Sequence, residues 1–312
     1  MTFFVQLPID SYPGKLPSDF GHGSDFDYPT AQAMMWLSQL SYESDCTIDT
    51  ILTRWGWQKP AHLHSPPTGP ASITATQGFV CRRDGTTIVA FAGTDPGMVK
   101  TVLTDAQTVP DDAGMHPGFR HALDAVWMQL RAAVPPDNGG RLFMTGHSLG
   151  AAIAVLAAMR LQSDVNLTVD AVYTFGLPRV GGSKFNDLYE PILGARTFRL
   201  VNGDDPVPSV PPPLLEYRHV GRSLFCTHGG TFDPGLAPAT QLNDLPTFAR
   251  VETDYAGHIL GELATDRWPT PAQPGILGWL YELLPGGLAD HMQARYLRAL
   301  GTPVVEIDRG GG

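Results

Sequence analysis

The sequence predicts an α/β fold with a mostly parallel central sheet, and three observations support this prediction. Between residues 141 and 201, apolar strand-like segments alternate with a long helical pattern, which is typical of βαβ units. Of the 312 residues, 43% are hydrophobic, so the chain can bury one large core. One strand-like segment also breaks at a glycine-flanked turn and resumes as an alanine-rich helix, the strand–turn–helix order of a parallel sheet.

The first part of the chain contains a predicted helix and a predicted hairpin. Residues 1–30 are rich in Pro, Gly and Asp, and we expect an irregular N-terminal arm there. Apolar residues at helical spacing predict a helix over 31–42. Four prolines and a glycine predict a loop over 59–70. Strands are expected over 77–81 and 87–92, around an Arg-Asp-Gly turn.

The middle of the chain supplies the alternating elements. A helix is predicted over 118–134, where a Pro-Pro pair ends it. It is followed by a strand over 141–145, a helix over 149–161 and strands over 170–175 and 196–201. In such a sheet the functional side chains leave from the carboxyl ends of the strands.

Charge and hydropathy exclude two classes of partner. The net charge of −10 argues against nucleic-acid binding, which needs a basic face. It also disfavours docking on anionic membranes, whereas a neutral lipid surface stays compatible with it. No segment reaches the roughly 18 uninterrupted apolar residues of a transmembrane span. We therefore expect a soluble protein that does not bind nucleic acid and has no transmembrane segment.

The N-terminus and the cysteines bear on the compartment. Residues 1–10 lack a basic start, and Pro8 and Asp10 interrupt the apolar run, so no signal peptide is predicted. We expect a cytoplasmic protein by default and leave secretion by another route open. The three cysteines form neither an even set nor a Cys-x-x-Cys pair, so we expect buried thiols and neither a disulfide framework nor a zinc site. They are Cys46, Cys81 and Cys226.

The glycine-flanked turn is the strongest functional signal. Ser148 lies between Gly146 and Gly150, at the junction of an apolar strand and an alanine-rich helix. A serine nucleophile must be exposed on such a sharp turn, within reach of a base and beside N–H donors. The glycines allow strand and helix to approach closely. The pentapeptide alone also fits an ordinary βα turn, so partners for Ser148 are needed.

An acid and a histidine should follow Ser148 in that order. Asp204 and Asp205 end the strand at 196–201, where a triad acid is expected, although a solvated Asp-Gly turn explains them equally well. His291 is the favoured base because a loop-to-helix junction holds a side chain firmly and leaves it exposed. A purely structural histidine is the alternative. The other histidines after the acids are His219, His228 and His258.

These segments resemble the class 3 lipases, a fungal-type family of the α/β-hydrolase fold. The resemblance spans about residues 31 to 300, in the right order throughout. It rests on Phe91-Ala-Gly-Thr94, His116-Pro-Gly-Phe119, Gly146-His-Ser-Leu-Gly-Ala-Ala152, Thr174-Phe-Gly-Leu-Pro-Arg179, Asp204-Asp205-Pro-Val-Pro208 and, less tightly, His291 to Tyr296. It implies one α/β-hydrolase domain over 1–312, with a mostly parallel sheet and helices on both of its faces.

The resemblance implies two further site residues. By position in the family's Asn-Asp-x-Val-Pro pattern, Asp205 rather than Asp204 is the triad acid. By position after the Phe-x-Gly strand, Thr94 is an oxyanion-hole residue, together with the backbone N–H of Leu149. Losing one such donor typically costs about 10²–10³ in rate. An ordinary strand-to-loop threonine is the alternative for Thr94.

The resemblance also implies a lid over about 95–110. Asp95 and Pro96 form a helix start, after which four apolar residues fall on one helical face. A helix permanently packed on the core would show the same pattern. The candidate lid and substrate-contacting residues are Met98, Val99, Val102, Leu103 and, beside the nucleophile, His147. The family's usual arginine is Ala92 here, and the tryptophan common before the lid aspartate is absent, which affects lid packing rather than chemistry.

A cap-like insertion is expected over about 225–285, between the acid and the histidine. Its apolar stretch at 276–284 suits contact with acyl chains, although a buried helix is the commoner explanation of such a stretch. We expect substrate choice to be made in this insertion.

The predicted activity is hydrolysis of lipid carboxylic esters, as in a triacylglycerol lipase or esterase, through an acyl-enzyme. Ser148 attacks the ester, His291 takes its proton and Asp205 orients the imidazole. The reaction requires neither a metal nor an organic cofactor. The expected partners are a lipid or other ester substrate and a transient lipid–water interface. A short-chain carboxylesterase, a phospholipase, an acyltransferase and a non-catalytic lipid-binding protein remain alternatives.

Overall fold

The computed structural model describes residues 6–16, 20, 25–66, 75–93, 109–136, 140–211, 213–235, 238 and 289–302. Its helices are α1 (Tyr28–Leu40), α2 (Asp45–Arg54), α3 (Pro117–Asp124), α4 (Trp127–Ala133), α5 (Leu149–Asp164), α6 (Ser183–Leu193) and α7 (Gln293–Ala299). Its strands are β1 (Ala61–His64), β2 (Gln77–Arg83), β3 (Thr86–Phe91), β4 (Arg141–His147), β5 (Ala171–Phe175), β6 (Gly181–Gly182), β7 (Thr197–Asn202), β8 (Tyr217–Arg218) and β9 (Arg222–Cys226).

The main sheet has the order β1-β2-β3-β4-β5-β7-β9. Strands β3, β4, β5, β7 and β9 run parallel, and β1 and β2 add an antiparallel edge. The carboxyl ends of the parallel strands therefore meet at one edge of the sheet. The short strands β6 and β8 pair separately. The predicted α/β-hydrolase fold with a mostly parallel sheet is confirmed.

Helices cover both faces of the sheet, as predicted. On one face α1, α2 and α7 pack with Tyr12, Leu16 and Phe20 of the N-terminal arm. On the other face α3, α4, α5 and α6 form a second apolar cluster. Residues 149 to 158 of α5 are all buried, which explains why its small, alanine-rich sequence is apolar all round.

Three of the predicted elements differ from the structure in this part of the chain. Helix α1 begins at Tyr28, inside the expected arm, because the Asp27 carboxylate caps it by accepting from Thr30 N–H. Strand β1 lies inside the expected loop at 59–70 and pairs with β2. The predicted helix at 118–134 is divided in two at buried Val126, whose φ of −116° and ψ of 0° are not helical.

The first two residues of the expected insertion lie in a strand. Phe225 and Cys226 belong to β9, which pairs in parallel with β7. Most of the predicted insertion and its apolar stretch at 276–284 lie outside the described residues. The cysteine prediction is right for buried Cys81 and wrong for Cys46, which is exposed at the start of α2; Cys226 is half-buried. Across the described ranges, no helix combines the length and the apolar character needed to cross a membrane.

Candidate active site

Ser148 stands on a strained turn between β4 and α5. Its φ of 58° and ψ of −129° place a non-glycine residue in a rarely populated region, which costs about 1–3 kcal/mol. The turn is held because Ser148 N–H donates to Phe175 O at 2.9 Å. A Cβ at Gly146 would overlap the backbone of Gly150, and a Cβ at Gly150 would overlap the carbonyl of Phe91. Both glycines are therefore needed for the close approach that the sequence predicted.

Asp205 and His291 meet beside this turn. Asp205 follows strand β7, and His291 lies in the turn before helix α7. The Nδ1 atom of His291 is 2.9 Å from each carboxylate oxygen of Asp205. Both side chains are buried. Gly176, after strand β5, makes room for the pair, because a Cβ there would lie 2.8 Å from Asp205 Oδ2 and 3.0 Å from His291 Nδ1.

The Asp205 carboxylate has two further donors. It accepts from Val207 N–H at 2.9 Å and from the Tyr296 hydroxyl at 2.6 Å. Burial raises the pKa of Tyr296 well above its usual value, and the charge of Asp205 raises it further, so Tyr296 stays a hydrogen-bond donor. These two bonds fix the orientation of the Asp205 carboxylate. Tyr296 ends the segment from His291 that resembles the family, but nothing in the sequence indicated that it contacts the acid.

The remaining nitrogen of His291 has no hydrogen-bond partner among the described residues. Since Nδ1 faces the Asp205 carboxylate, Nε2 is the ring nitrogen left for a proton transfer. This Nε2 atom is buried and makes no hydrogen bond to any described residue. A buried nitrogen without a partner is costly in a folded protein and commonly marks a functional position. The arrangement presents a base next to the Ser148 turn.

His147 lies beneath the site rather than in contact with solvent. It is 2% exposed, and both of its ring nitrogens are used. Its Nε2 lies 2.6 Å from the backbone oxygen of His291, and its Nδ1 lies 2.9 Å from the Tyr42 hydroxyl. A carbonyl oxygen can only accept, so Nε2 carries the proton and Tyr42 donates to Nδ1. Burial lowers the pKa of His147 well below its usual value, and the neighbouring His291 lowers it further.

That geometry changes the role expected of His147. With both ring nitrogens engaged and its ring centroid 4.5 Å from that of His291, it orients the His291 backbone and has no nitrogen left for a substrate. The sequence analysis placed it among the substrate-contacting residues because it lies beside the nucleophile. Tyr42, its hydroxyl partner, was missed because a single tyrosine after a helix gives no functional signal.

The expected oxyanion hole and lid are described only in part. Leu149 is the first residue of α5, where backbone N–H groups have no partner within the helix and the helix dipole favours negative charge. Gly93, the last described residue before Thr94, packs so closely that a Cβ would lie 2.9 Å from Ser148 Cβ. The predicted residues that fall outside the described part of the chain are Thr94, Met98, Val99, Val102 and Leu103.

The other candidates take structural positions. Asp204 is exposed, and its N–H donates to Asp290 Oδ2 at 2.9 Å. The same oxygen of Asp290 lies 2.6 Å from His228 Nδ1. His219 follows strand β8, and His258 lies outside the described residues. Of the histidines after the acids that the structure describes, His291 is the one that contacts Asp205.

Comparison with known proteins agrees with this geometry. The family described as Lipase (class 3) matches residues 89–215. Secreted mono- and diacylglycerol lipase MDL2 of Malassezia globosa is 33% identical over 191 residues, which cover 54% of this chain and 61% of that protein. Secreted mono- and diacylglycerol lipase 1 of Fusarium solani is 38% identical over 124 residues, which cover 38% of this chain and 36% of that protein. The matches therefore span less than two thirds of either relative.

A solved structure supports the fold. The mono- and diacylglycerol lipase from Aspergillus oryzae superimposes with a TM-score of 0.53 at 22% identity, covering 68% of this chain and 85% of that chain. The expectation of a cytoplasmic protein is contradicted, because the curated relatives are named as secreted.

Proposed function

We propose that this chain, whose residues 89–215 match the class 3 lipase family, hydrolyses carboxylic esters of lipids through an acyl-enzyme. Ser148 is the nucleophile, His291 the general base and Asp205 the acid that orients the base. The observation that carries the proposal is the buried, unpartnered Nε2 of His291, whose Nδ1 is fixed by Asp205 at 2.9 Å. A serine on a strained turn beside a base held in this manner is suited to acyl transfer.

In the first step the Ser148 hydroxyl attacks the ester carbonyl while His291 Nε2 removes its proton. Asp205 stabilises the imidazolium that forms, and the negative oxygen of the tetrahedral intermediate accepts from the Leu149 N–H and from the proposed donor Thr94. His291 then gives its proton to the leaving alcohol. The acyl group remains on Ser148 as an ester.

In the second step water replaces the alcohol. His291 takes a proton from the water as it attacks the acyl-enzyme carbonyl, the same N–H donors stabilise the oxyanion, and the fatty acid leaves as Ser148 regains its proton. Every proton moves through His291 Nε2, which therefore must have no permanent protein partner.

The substrates proposed for this chain are mono- and diacylglycerols, in line with the relatives named for that activity. Triacylglycerols, phospholipids and short-chain esters are the competitors to be tested beside them. We further propose one hydrolase domain over residues 1–312, a lid over about 95–110 that opens at a lipid–water interface, and an enzyme that works outside the cell.

The nucleophile is tested with Ser148→Ala and a matched control, Ser163→Ala, at a serine on the exposed side of α5. Activity on p-nitrophenyl esters should fall by more than about 10⁴-fold in Ser148→Ala, and fluorophosphonate labelling should disappear, with the unfolding midpoint no lower than that of the wild type. Ser163→Ala should retain both. An active or labelled Ser148→Ala variant would refute the assignment.

The substrate class is tested with mono-, di- and triacylglycerols, a phospholipid and p-nitrophenyl esters of increasing chain length, below and above their solubility limits. A rate jump at the solubility limit with acylglycerols supports lipase activity and a moving lid. Smooth saturation with short-chain esters and no acylglycerol cleavage contradicts both.

A further inference from the structure

Two aspartates and two histidines, residue types that bind metal ions, lie together in a part of the chain that is distant in sequence from the proposed catalytic residues. Asp45 and Asp49 lie one turn apart on α2. His62 and His64 are two positions apart on β1, so their side chains lie on the same face of the strand. We call this group the α2–β1 cluster. The proposed hydrolysis uses none of its members.

The hydrogen bonds of the cluster leave one nitrogen directed at it. His62 Nε2 lies 2.9 Å from Asp49 Oδ1, so that nitrogen donates to the carboxylate. The other ring nitrogen, His62 Nδ1, is buried and makes no hydrogen bond to any described residue, although Asp45 Oδ1 is only 3.2 Å away. These two atoms therefore face each other at close range without a hydrogen bond between them. A cation placed between them would bond to both.

A third ligand atom is already in place. His64 Nε2 lies 2.9 Å from the same oxygen of Asp45. The ligand atoms of Asp45, His62 and His64 all lie within 4.8 Å of one another. A tetrahedral Zn²⁺ ion with bonds of about 2.0–2.1 Å holds its ligand atoms about 3.3 Å apart. The observed 2.9 and 3.2 Å separations therefore need only a few tenths of an ångström of opening.

The surroundings of the cluster also suit a bound metal. A metal-ligating histidine usually donates its second ring N–H to a carboxylate, which fixes the ring, and Asp49 does this for His62. The other oxygen of Asp49 lies 3.9 Å from Lys59 Nζ, so Asp49 is better placed as this support than as a ligand. The side chains of Asp45 and His64 are 51% and 48% exposed, which leaves a path for the ion and room for water as the remaining ligand.

We propose that Asp45, His62 and His64 form a binding site for a divalent first-row transition metal ion, with Zn²⁺ as the representative. Two imidazole nitrogens disfavour Ca²⁺ and Mg²⁺, which prefer oxygen ligands. The ion has a structural role, because it joins the edge strand β1 to the start of α2. The loop it anchors also carries Tyr42, whose hydroxyl contacts His147 beneath the proposed catalytic residues.

The test uses the full chain, stripped with EDTA and desalted, with Zn²⁺ alone as the probe. Calorimetry and elemental analysis after desalting should give one ion per chain, and an excess of about 100 times Kd should raise the unfolding midpoint by about 5 °C. Ca²⁺ or Mg²⁺ at the same concentration should leave the midpoint unchanged. No stoichiometric zinc uptake by the wild type would overturn the proposal.

Variants separate the ligands from their surroundings. Asp49→Asn, which retains every proposed ligand, should weaken zinc binding about 10–100-fold. His64→Ala should weaken it further, and it should fold normally because the backbone of residue 64, not its ring, bonds to Gln129. His121→Ala, at an exposed histidine on α3, is the matched control and should bind like the wild type.

His228→Ala provides a second control, because His228 belongs to another acid–histidine group with Asp204 and Asp290. Retained zinc binding in His228→Ala and lost binding in His64→Ala support the α2–β1 cluster. The opposite pattern, with zinc binding lost in His228→Ala and kept in His64→Ala, overturns the assignment.

Discussion

Replacement of Tyr296 by phenylalanine removes one hydroxyl from the support of the proposed catalytic acid. That hydroxyl donates to Asp205 Oδ2 at 2.6 Å and accepts from Asn202 N–H at 3.2 Å, and Tyr296 is fully buried. The ring remains, so the packing of α7 against the sheet is retained. The change therefore removes the hydrogen bond to the carboxylate, together with the longer one from Asn202 N–H, without removing the ring.

The expected magnitude follows from the charge of the acceptor. A hydrogen bond to a charged group contributes about 1.5–3 kcal/mol to stability, and one between neutral groups about 0.5–1.5 kcal/mol. Tyr296→Phe should lower the free energy of unfolding by an amount in the first range. Asp205 keeps His291 and Val207 N–H as partners, so it stays near His291 with a less fixed orientation. We expect kcat to fall by about tenfold, the equivalent of about 1.4 kcal/mol, with little change in KM.

Tyr189→Phe is the matched control. Tyr189 is also fully buried, but its hydroxyl bonds to the neutral hydroxyl of Thr197 at 2.7 Å, on the opposite face of the sheet. It should lose about 1 kcal/mol of stability and retain the wild-type kcat. Urea denaturation and p-nitrophenyl ester kinetics measure both quantities. Equal losses of stability and activity in Tyr296→Phe and Tyr189→Phe would refute the reasoning.

Two further predictions concern the turn and the loop beside the site. Gly146→Ala places a methyl group against backbone atoms and should lower the free energy of unfolding, measured by urea denaturation, by about 3 kcal/mol. Gly14→Ala is the control and should leave the free energy of unfolding nearly unchanged, because a Cβ there has nothing within 4 Å. Equal urea midpoints for the two variants would contradict the steric argument. The hydrogen bond to Asp290, and then its charge, raises the pKa of His228. The stabilisation of the folded protein by the His228–Asp290 pair should be complete below about pH 6.5, the pKa of histidine in the unfolded chain. It should disappear as the pH rises through the raised pKa of His228 in the folded protein. The midpoint difference between wild type and His228→Gln should therefore shrink with increasing pH, and a constant difference would contradict the pairing.

The fold was predictable where local sequence and tertiary structure agree. The strand that ends at His147 and the helix that begins at Leu149 have continuous apolar patterns, so their positions follow from the sequence. Strand β1 was missed because it is short, has prolines near it and buries only Leu63, which leaves no periodic signal. The break at Val126 was missed because its buried, apolar side chain fits a continuous helix equally well.

The candidate site was predictable for residues that occupy motif positions and not for their supports. Ser148, Asp205 and His291 follow from the turn, the strand end and the family resemblance. The bonds from Tyr42 to His147 and from Tyr296 to Asp205 span 105 and 91 residues, and a single sequence carries no signal for such pairings. The pair of histidines on β1 was missed with the strand itself.

The three proposed catalytic residues are positioned largely through their neighbours in sequence. His147, before Ser148, donates to the His291 backbone oxygen at 2.6 Å. Asp290, before His291, accepts the N–H of Asp204, the residue before Asp205, at 2.9 Å. The neighbours also hold together three segments that are distant in sequence.

There is a chemical reason why neighbouring residues, and not the reacting atoms themselves, make these hydrogen bonds. Ser148 Oγ and His291 Nε2 must exchange a proton with each other and with the substrate, so neither can be fixed by a permanent protein partner. Hydrogen bonds to adjacent backbone and side-chain atoms fix the geometry and leave those two atoms available. Variants at His147 or Asp290 should therefore misplace His291 without removing any reacting group.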